Sequence, residues 1–446
     1  MDQPADNIAD RYRLQLGESW KDWFNGAAFT LQFPGAFQSP VAVSQLLEDT
    51  PAAIWPGFML PDTLPIIGNQ YGDWICARVR VDGTLGELIH WYHGGGDWIP
   101  VGGRIEEALL HDAVDQYRPI RQQMLRGAFE TLTPDHLHQV SAKIEHRSFQ
   151  QWLAAGLSLG ECSAEAPPHN IFAALHDIFA ALHDGRYSHA LHAMLDNHWA
   201  FEATACDLIE EALQLPLAQL MHSHPSRTAA ANVDSKTLAR WVFDSGSFPP
   251  PSGISLPAEE LPDQGWGFAE ATCHRVLNHR PDLGWASDIY GWCMHRSGRI
   301  DQALQVYYDG RLASSFSNQA VRLRTHWFDQ RYGKFSIAQL ANLQGKGLGR
   351  LSDDPYLSVV REAPPGQLLN RVQAYWQQRG SKQLAEGQGA DAYASFYRAG
   401  WDLGAAHWHD YREILSSLAA AAAAAHWPAR ERVARTHLSC LEARMK

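Results

Sequence analysis

Two glycine-framed stretches and a set of histidine–aspartate pairs are where the residue types of this chain could do chemistry. In "IHWYHGGGDW", Ile89–Trp98, a histidine and three glycines follow an apolar run, as in the loop that lines part of the oxyanion hole in some serine hydrolases. "GLSLG", Gly156–Gly160, has the G-x-S-x-G spacing that presents a nucleophilic serine, here Ser158. Together they define one reading, a serine esterase using His93–Gly96 and Ser158. His176-Asp177 and His183-Asp184, with His189 and His192 after them, carry the side chains of a metal phosphohydrolase site.

Chemistry needs elements that hold these groups in place. A nucleophile elbow must follow a buried strand and open a long helix. Here "HRSFQQWLAA" before it reads as helix and "ECSAEAPPHN" after it reads as linker. The parallel sheet such a fold requires has no counterpart in a chain whose remainder is helical. His93–Gly96 therefore reads as a turn closing a hairpin, its glycines permitting positive φ where the chain reverses. The two His-Asp pairs lie seven residues apart on one helix and its turn, ended by Gly185, so repeat packing accounts for them better than a metal. "HSH" (His222, His224) lacks partners at ligand spacing, "HWHDY" (His407–Tyr411) reads as helix surface, and "NLQGKGLGR" lacks the spacing of a P-loop. No metal and no cofactor are expected.

The elements around the histidine are those of a small sheet. "WICARVRV" (Trp74–Val81), the turn "DGTLG" (Asp82–Gly86) and "ELIHWY" (Glu87–Tyr92) form a β-hairpin. Arg104–Tyr117 follows as a helix with Ile105, Ala108, Leu109, Val114 and Tyr117 along one stripe. Upstream, "SWKDWFNG" and "AVSQLLEDT" read as helices separated by a loop, "FPGAFQSP". Leu64-Pro65-Ile66, Gly72-Asp73 leading into Trp74–Val81, a strand ending in Trp91 and a closing helix resemble the SUKH superfamily. That superfamily groups bacterial immunity proteins with fungal cell-wall-synthesis regulators, and the resemblance covers about residues 15–120. It implies a protein-binding module without enzymatic chemistry, with Gly72, Asp73 and Trp74 mapping onto the partner surface. The Arg-bearing "CARVRV" departs from the family's more apolar strand. Trp74, Trp91 and Trp98 cluster at the hairpin. The sheet core accounts for at least two of them, and any exposed one would anchor a partner together with Asp97.

Charge supports a protein partner over nucleic acid. Of the formal −12 carried by 446 residues, residues 1–125 hold −8, with 16 acidic against 8 basic side chains. Such a domain repels phosphate and steers toward basic surfaces, including that of a nuclease toxin. Six widely spaced cysteines, Cys76, Cys162, Cys206, Cys273, Cys293 and Cys440, read as reduced, mostly buried thiols. MDQPADNIAD has no signal-peptide character and no apolar run of about 18 residues occurs, so a cytoplasmic protein is expected, with no membrane partner.

Beyond about residue 126, helical periods replace strand signals. Ala269, Ala303 and Ala338 recur at 34 and 35 residues. Around them, Gly291 marks a close helix approach, Gly298 a turn, and Tyr307 fills the gap four residues after Ala303. Gly185 with Ala190, and Gly380 with Gly387, Ala392 and Phe396, make two further copies. These patterns resemble tetratricopeptide repeats, which implies a solenoid with a groove for another protein. Breaks fall at Ser163–Asn170 and in the Pro/Gly-rich Asp244–Gly267. "LAAAAAAAHW" (Leu418–Trp427) reads as an alanine-rich helix.

The expected fold is an α+β N-terminal domain, a twisted antiparallel sheet flanked by helices, followed by an all-α tetratricopeptide-like solenoid. The expected domains are 1–125, a helical 126–243, the connector 244–267 and the repeats 268–446. The expected function is non-enzymatic binding of a basic protein, as an immunity protein facing a toxin. A regulatory scaffold and the serine esterase are the alternatives.

Overall fold

The computed structural model describes residues 3–31, 33–55, 59–93, 96–116, 147–158, 171–213, 263–317, 332–343 and 353–446. Tyr117, the break at 163–170, the pair at 222–224, Cys162, most of the 244–267 connector and the glycine-rich 344–350 stretch lie outside them.

Strands β1 (Phe37–Pro40), β2 (Thr63–Asn69), β3 (Trp74–Val79), β4 (Leu85–Trp91) and β5 (Trp98–Gly102) form a five-stranded sheet in sequence order, every pair antiparallel. Local chemistry makes its turns. The Asn69 side chain accepts the N–H groups of Tyr71 and Asp73 while Gly72 takes φ +89°, and Asp82 accepts the N–H and hydroxyl of Thr84 beside Gly83 at φ +83°. The expected hairpin is β3–β4, but "FPGAFQSP", read as a loop, contains the edge strand β1, and "DWIPV" becomes β5. Gly35 lets this segment reach the Asp112 carboxylate, which takes the N–H groups of Ala36 and Phe37, each at 3.1 Å.

Helices α1 (Pro4–Tyr12) and α2 (Glu18–Phe24) precede the sheet, the short α3 (Val43–Leu46) lies between β1 and β2, and α4 (Ile105–Asp115) follows the sheet. The sequence suggests a one-sided stripe on α4, whereas Ile105 through Val114 are all buried. The reason is a second cover: α4 packs on β4 and β5 and also on α5 (Arg147–Ser158).

The remaining helices are α6 (Ile171–His183), α7 (Tyr187–Asp196), α8 (Phe201–Leu213), α9 (Asp263–His279), α10 (Gly284–Arg296), α11 (Ile300–Gly310), α12 (Phe335–Asn342), α13 (Pro355–Glu362), α14 (Leu368–Ala385), α15 (Gly389–Trp401), α16 (Asp410–Ala424) and α17 (Pro428–Met445). α9 begins at Asp263, inside the segment read as connector. The fold is thus α+β followed by helices, with α9–α10, α10–α11, α14–α15, α15–α16 and α16–α17 in contact.

A single turn recurs among these helices. α6–α7, α10–α11, α14–α15 and α16–α17 are each joined by three residues whose second is left-handed: Gly185 (φ +71°), Gly298 (φ +77°), Gly387 (φ +76°) and His426 (φ +58°). Glycine–aromatic interlocks hold the pairs. A Cβ on Gly291 would stand 2.3 Å from the Tyr307 ring, and one on Gly380 would stand 2.9 Å from Phe396. Ala269, Ala303 and Ala392 are wholly buried and Ala338 nearly so, because only small side chains fit where the helices approach.

The last helix returns to the first. α17 packs on α1, Arg432 donates to the Arg11 carbonyl, and the Trp55 indole donates to His437 Nε2 in full burial. α17 carries four basic side chains, Arg430, Arg432, Arg435 and Arg444, against Glu431 and Glu442, so it brings +2 onto the acidic N-terminal part. Among the described residues no helix is long and apolar enough to cross a membrane, and the five described cysteines are free and buried.

Two expectations follow. Gly291→Ala, which would gain about 1 kcal/mol in an open helix, is expected to lose about 1–2 kcal/mol by overpacking Tyr307. Chemical denaturation checks this, and Tyr307→Leu in the same chain should restore the loss. Burial pushes His437 down to about 3 from 6.5, only partly opposed by the Asp62 charge and the Thr63 backbone. The unfolded chain then takes up a proton that the folded one refuses. The stability is present above pH 6.5 and is lost at about 1.4 kcal/mol per unit as pH falls toward 3. Melting as a function of pH should show this slope in the native chain and not in His437→Gln. The comparison between the two isolates it from Asp112, whose carboxyl burial pushes up to about 7 and which therefore stabilises as pH falls.

Candidate binding site

At the end of the sheet, the β2–β3 turn meets the β4–β5 turn. Asp73 Oδ1 accepts both the backbone N–H of His93 (2.9 Å) and its Nδ1 (2.7 Å). Burial pushes the Asp73 carboxyl up, but the imidazoles of His90 and His93 and the His93 N–H outweigh it and hold it far below the usual range. Gly72 at φ +89° brings the turn against His93, and Trp74 lies half-buried against Gly68. The other three residues expected at a partner surface are not available to one. Trp91, Trp98 and Asp97 are 2%, 3% and 0% exposed, because Trp91 and Trp98 are cross-strand partners on the covered face of the sheet.

The glycine motifs have structural uses. His93 and Gly96 lie in the turn joining β4 to β5, where Gly96 at φ +79° donates its N–H to the Tyr92 carbonyl. Gly94 and Gly95 lie outside the described residues. "GLSLG" begins at the end of α5, where Ser158 closes a helix instead of opening one. Gly156 is there because a Cβ would meet the Glu106 side chain of α4 at 2.1 Å, and Arg104 binds the carbonyls of Gly156 and Leu157. The histidine–aspartate residues pair off instead: His189 with Asp177 at 3.0 Å, and Asp184 with His183 and Arg186. His407–His409 form the turn before α16, not its surface.

A cavity of about 290 Å³ lies in the seam between the sheet and the C-terminal helices, open to solvent on one side. On the sheet side are Asp62, Arg78 of β3 and Trp98 of β5. On the helix side are Tyr393 and Arg398 of α15, and Arg430 of α17. Asp62 Oδ2 takes Arg78 at 2.7 Å and Arg430 at 3.5 Å, and Arg430 also donates to the Val79 carbonyl. The Trp98 N–H donates to the Phe316 carbonyl, so the 312–317 segment seals one edge.

Behind the cavity, Asp402 is fully buried. Its Oδ1 takes the Lys334 ammonium and its Oδ2 takes Tyr356 (2.7 Å) and Trp376 (3.1 Å). Burial lowers the Lys334 pKa against the pull of Asp402. Arg398, in the last turn of α15 and four residues before Asp402, would be its natural partner. With both oxygens taken, Arg398 has no ion pair or side-chain hydrogen bond to any described residue, and its guanidinium lies 5.0 Å from the Trp376 ring centre. Three further polar atoms of the lining are buried without a hydrogen-bond partner among the described residues: Asp62 Oδ1, Tyr393 OH and Trp98 Nε1.

Set beside family models, curated proteins and solved structures, the chain matches none. The seam residues were missed by sequence reasoning. Their one signal was the charged Arg78 inside "CARVRV", the position that departs from an apolar strand.

Asp62→Asn is expected to cost about 3 kcal/mol, because Arg430 would lose its carboxylate and Arg78 would keep only the more distant Glu87, at 3.9 Å. Hydrogen exchange should rise in α17 before it rises in the β3–β4 hairpin. Unchanged protection of α17 would show that Asp62 does not hold it.

Proposed function

We propose that the chain is a non-enzymatic protein-binding protein in which a SUKH-like α+β part and tetratricopeptide-like helix pairs act together, and that its partner is basic. The observation that carries this reading is an acidic face on α1 and α2, where Asp6, Asp10, Glu18 and Asp22 are exposed on two helices packed on one another and Lys21, 2.7 Å from Glu18, offsets one of the four charges. Glu48 and Asp49, just beyond α3, extend it. With Trp91 and Trp98 buried, this face replaces them as the contact surface. The +2 of α17 narrows the acidic field to the side of α1 and α2 that α17 leaves open. Clustered carboxylates of this kind raise the encounter rate with a positive surface and can occupy a phosphate-binding groove, as an immunity protein would in a nuclease toxin. The recurring three-residue turn and the glycine–aromatic interlocks support the repeat reading, since each pair buries its face against the next.

The test is retention from native lysate at low and high salt by the full chain and by the variant Asp6→Lys/Asp10→Lys/Glu18→Lys/Asp22→Lys. One basic protein held at low salt, released at high salt and lost from the variant is the expected result. Equal retention by the variant would overturn the assignment of the face.

A further inference from the structure

We infer that the seam cavity binds a small aromatic monocarboxylate. Its volume, about 290 Å³, lies at the lower end of ligand pockets, room for one or two fused rings. Its walls include the Trp98, Tyr393 and Trp427 rings, with Arg430 over both Tyr393 and Trp427, so a flat body can stack among rings and guanidinium groups. Charge selects the acid. Arg78 and Arg430 are already matched by Asp62, Asp402 is spent on Lys334, Tyr356 and Trp376, and the third carboxylate of the lining, Asp282, is held by Arg280 at 2.8 Å, which leaves Arg398 as the one cation of the lining without an ion pair among the described residues. One unmatched positive charge fits one carboxylate, whereas a phosphate monoester would bring about two negative charges.

The unpartnered atoms complete the match. Tyr393 OH and Trp98 Nε1 offer hydrogen-bond donors and Asp62 Oδ1 an acceptor, each costly to leave buried and empty-handed. A hydroxyl at the far end of the ring from the carboxylate would serve them. No residue of α1, α2 or α3 lines this cavity, so the inference stands apart from the acidic face and can fail without it.

The probe is 4-hydroxyphenylacetate titrated into the full chain, read by tryptophan fluorescence, with three controls: its neutral amide, 4-hydroxyphenyl phosphate and a tripeptide ending in a free-carboxylate tyrosine. The acid should bind, the amide and the phosphate about tenfold more weakly. Arg398→Met should abolish binding at an unchanged melting temperature and Arg398→Lys should retain part of it. An amide that binds as well as the acid, or an Arg398→Met chain that binds normally, would overturn the charge assignment. Tighter binding of the tripeptide would overturn the small free acid in favour of a chain terminus.

Discussion

Asp62 is one carboxylate between two guanidinium groups that are 352 positions apart in the chain, Arg78 at 2.7 Å and Arg430 at 3.5 Å, and it is 1% exposed. A charge so deeply buried is tolerable only if both arginines arrive, and Arg430 arrives only on α17. That requirement bends the helical series back to the sheet. The Trp55–His437 pair and the Arg432 contact with α1 lie along the same helix and depend on the same docking. The cavity is what remains where the two surfaces meet around this ion cluster without filling the space.

Within the helical part a different constraint operates, one of clearance. Gly291 under Tyr307 and Gly380 under Phe396 remove a Cβ so that an aromatic ring can fill the groove of the preceding helix. The shared left-handed turn fixes the angle at which each pair leaves. His426 takes the left-handed place that glycine holds in the other three turns, so the α16–α17 connection carries backbone strain that its neighbours do not. The buried Asp402 adds a polar pin to the apolar stack by binding groups from α13, α14 and the start of α12 at once.

What was legible in the sequence was local. Gly291, Gly298, Ala303 and Tyr307 fall within seventeen residues, and their roles follow from helical spacing alone. The β3–β4 hairpin was visible for the same reason. β1 was hidden because four residues rich in loop formers become a strand only by pairing with β2, and the second cover on α4 was hidden because α5 is over thirty residues away. At least two of the hairpin tryptophans read as sheet core, and the pairing of the strands makes Trp91 and Trp98 those two, with Trp74 left half-buried. Charge counted by segment also misled in part, since α17 returns +2 to the segment that holds −8. The cavity joins residues from positions 62 to 430, and no window of sequence contains it.

Because the clasp joins the earliest elements to the latest, synthesis from the amino end leaves the sheet waiting. When β3 has emerged, Arg78 can meet Asp62, but Trp55 has no imidazole and Asp62 has only one of its two cations until α17 is made. Throughout that interval the face that will receive α17 is wet and open, and the first part of the molecule can only be held loosely. α17 therefore acts as a latch on work begun some four hundred residues earlier, and a chain halted before it would leave that face uncovered.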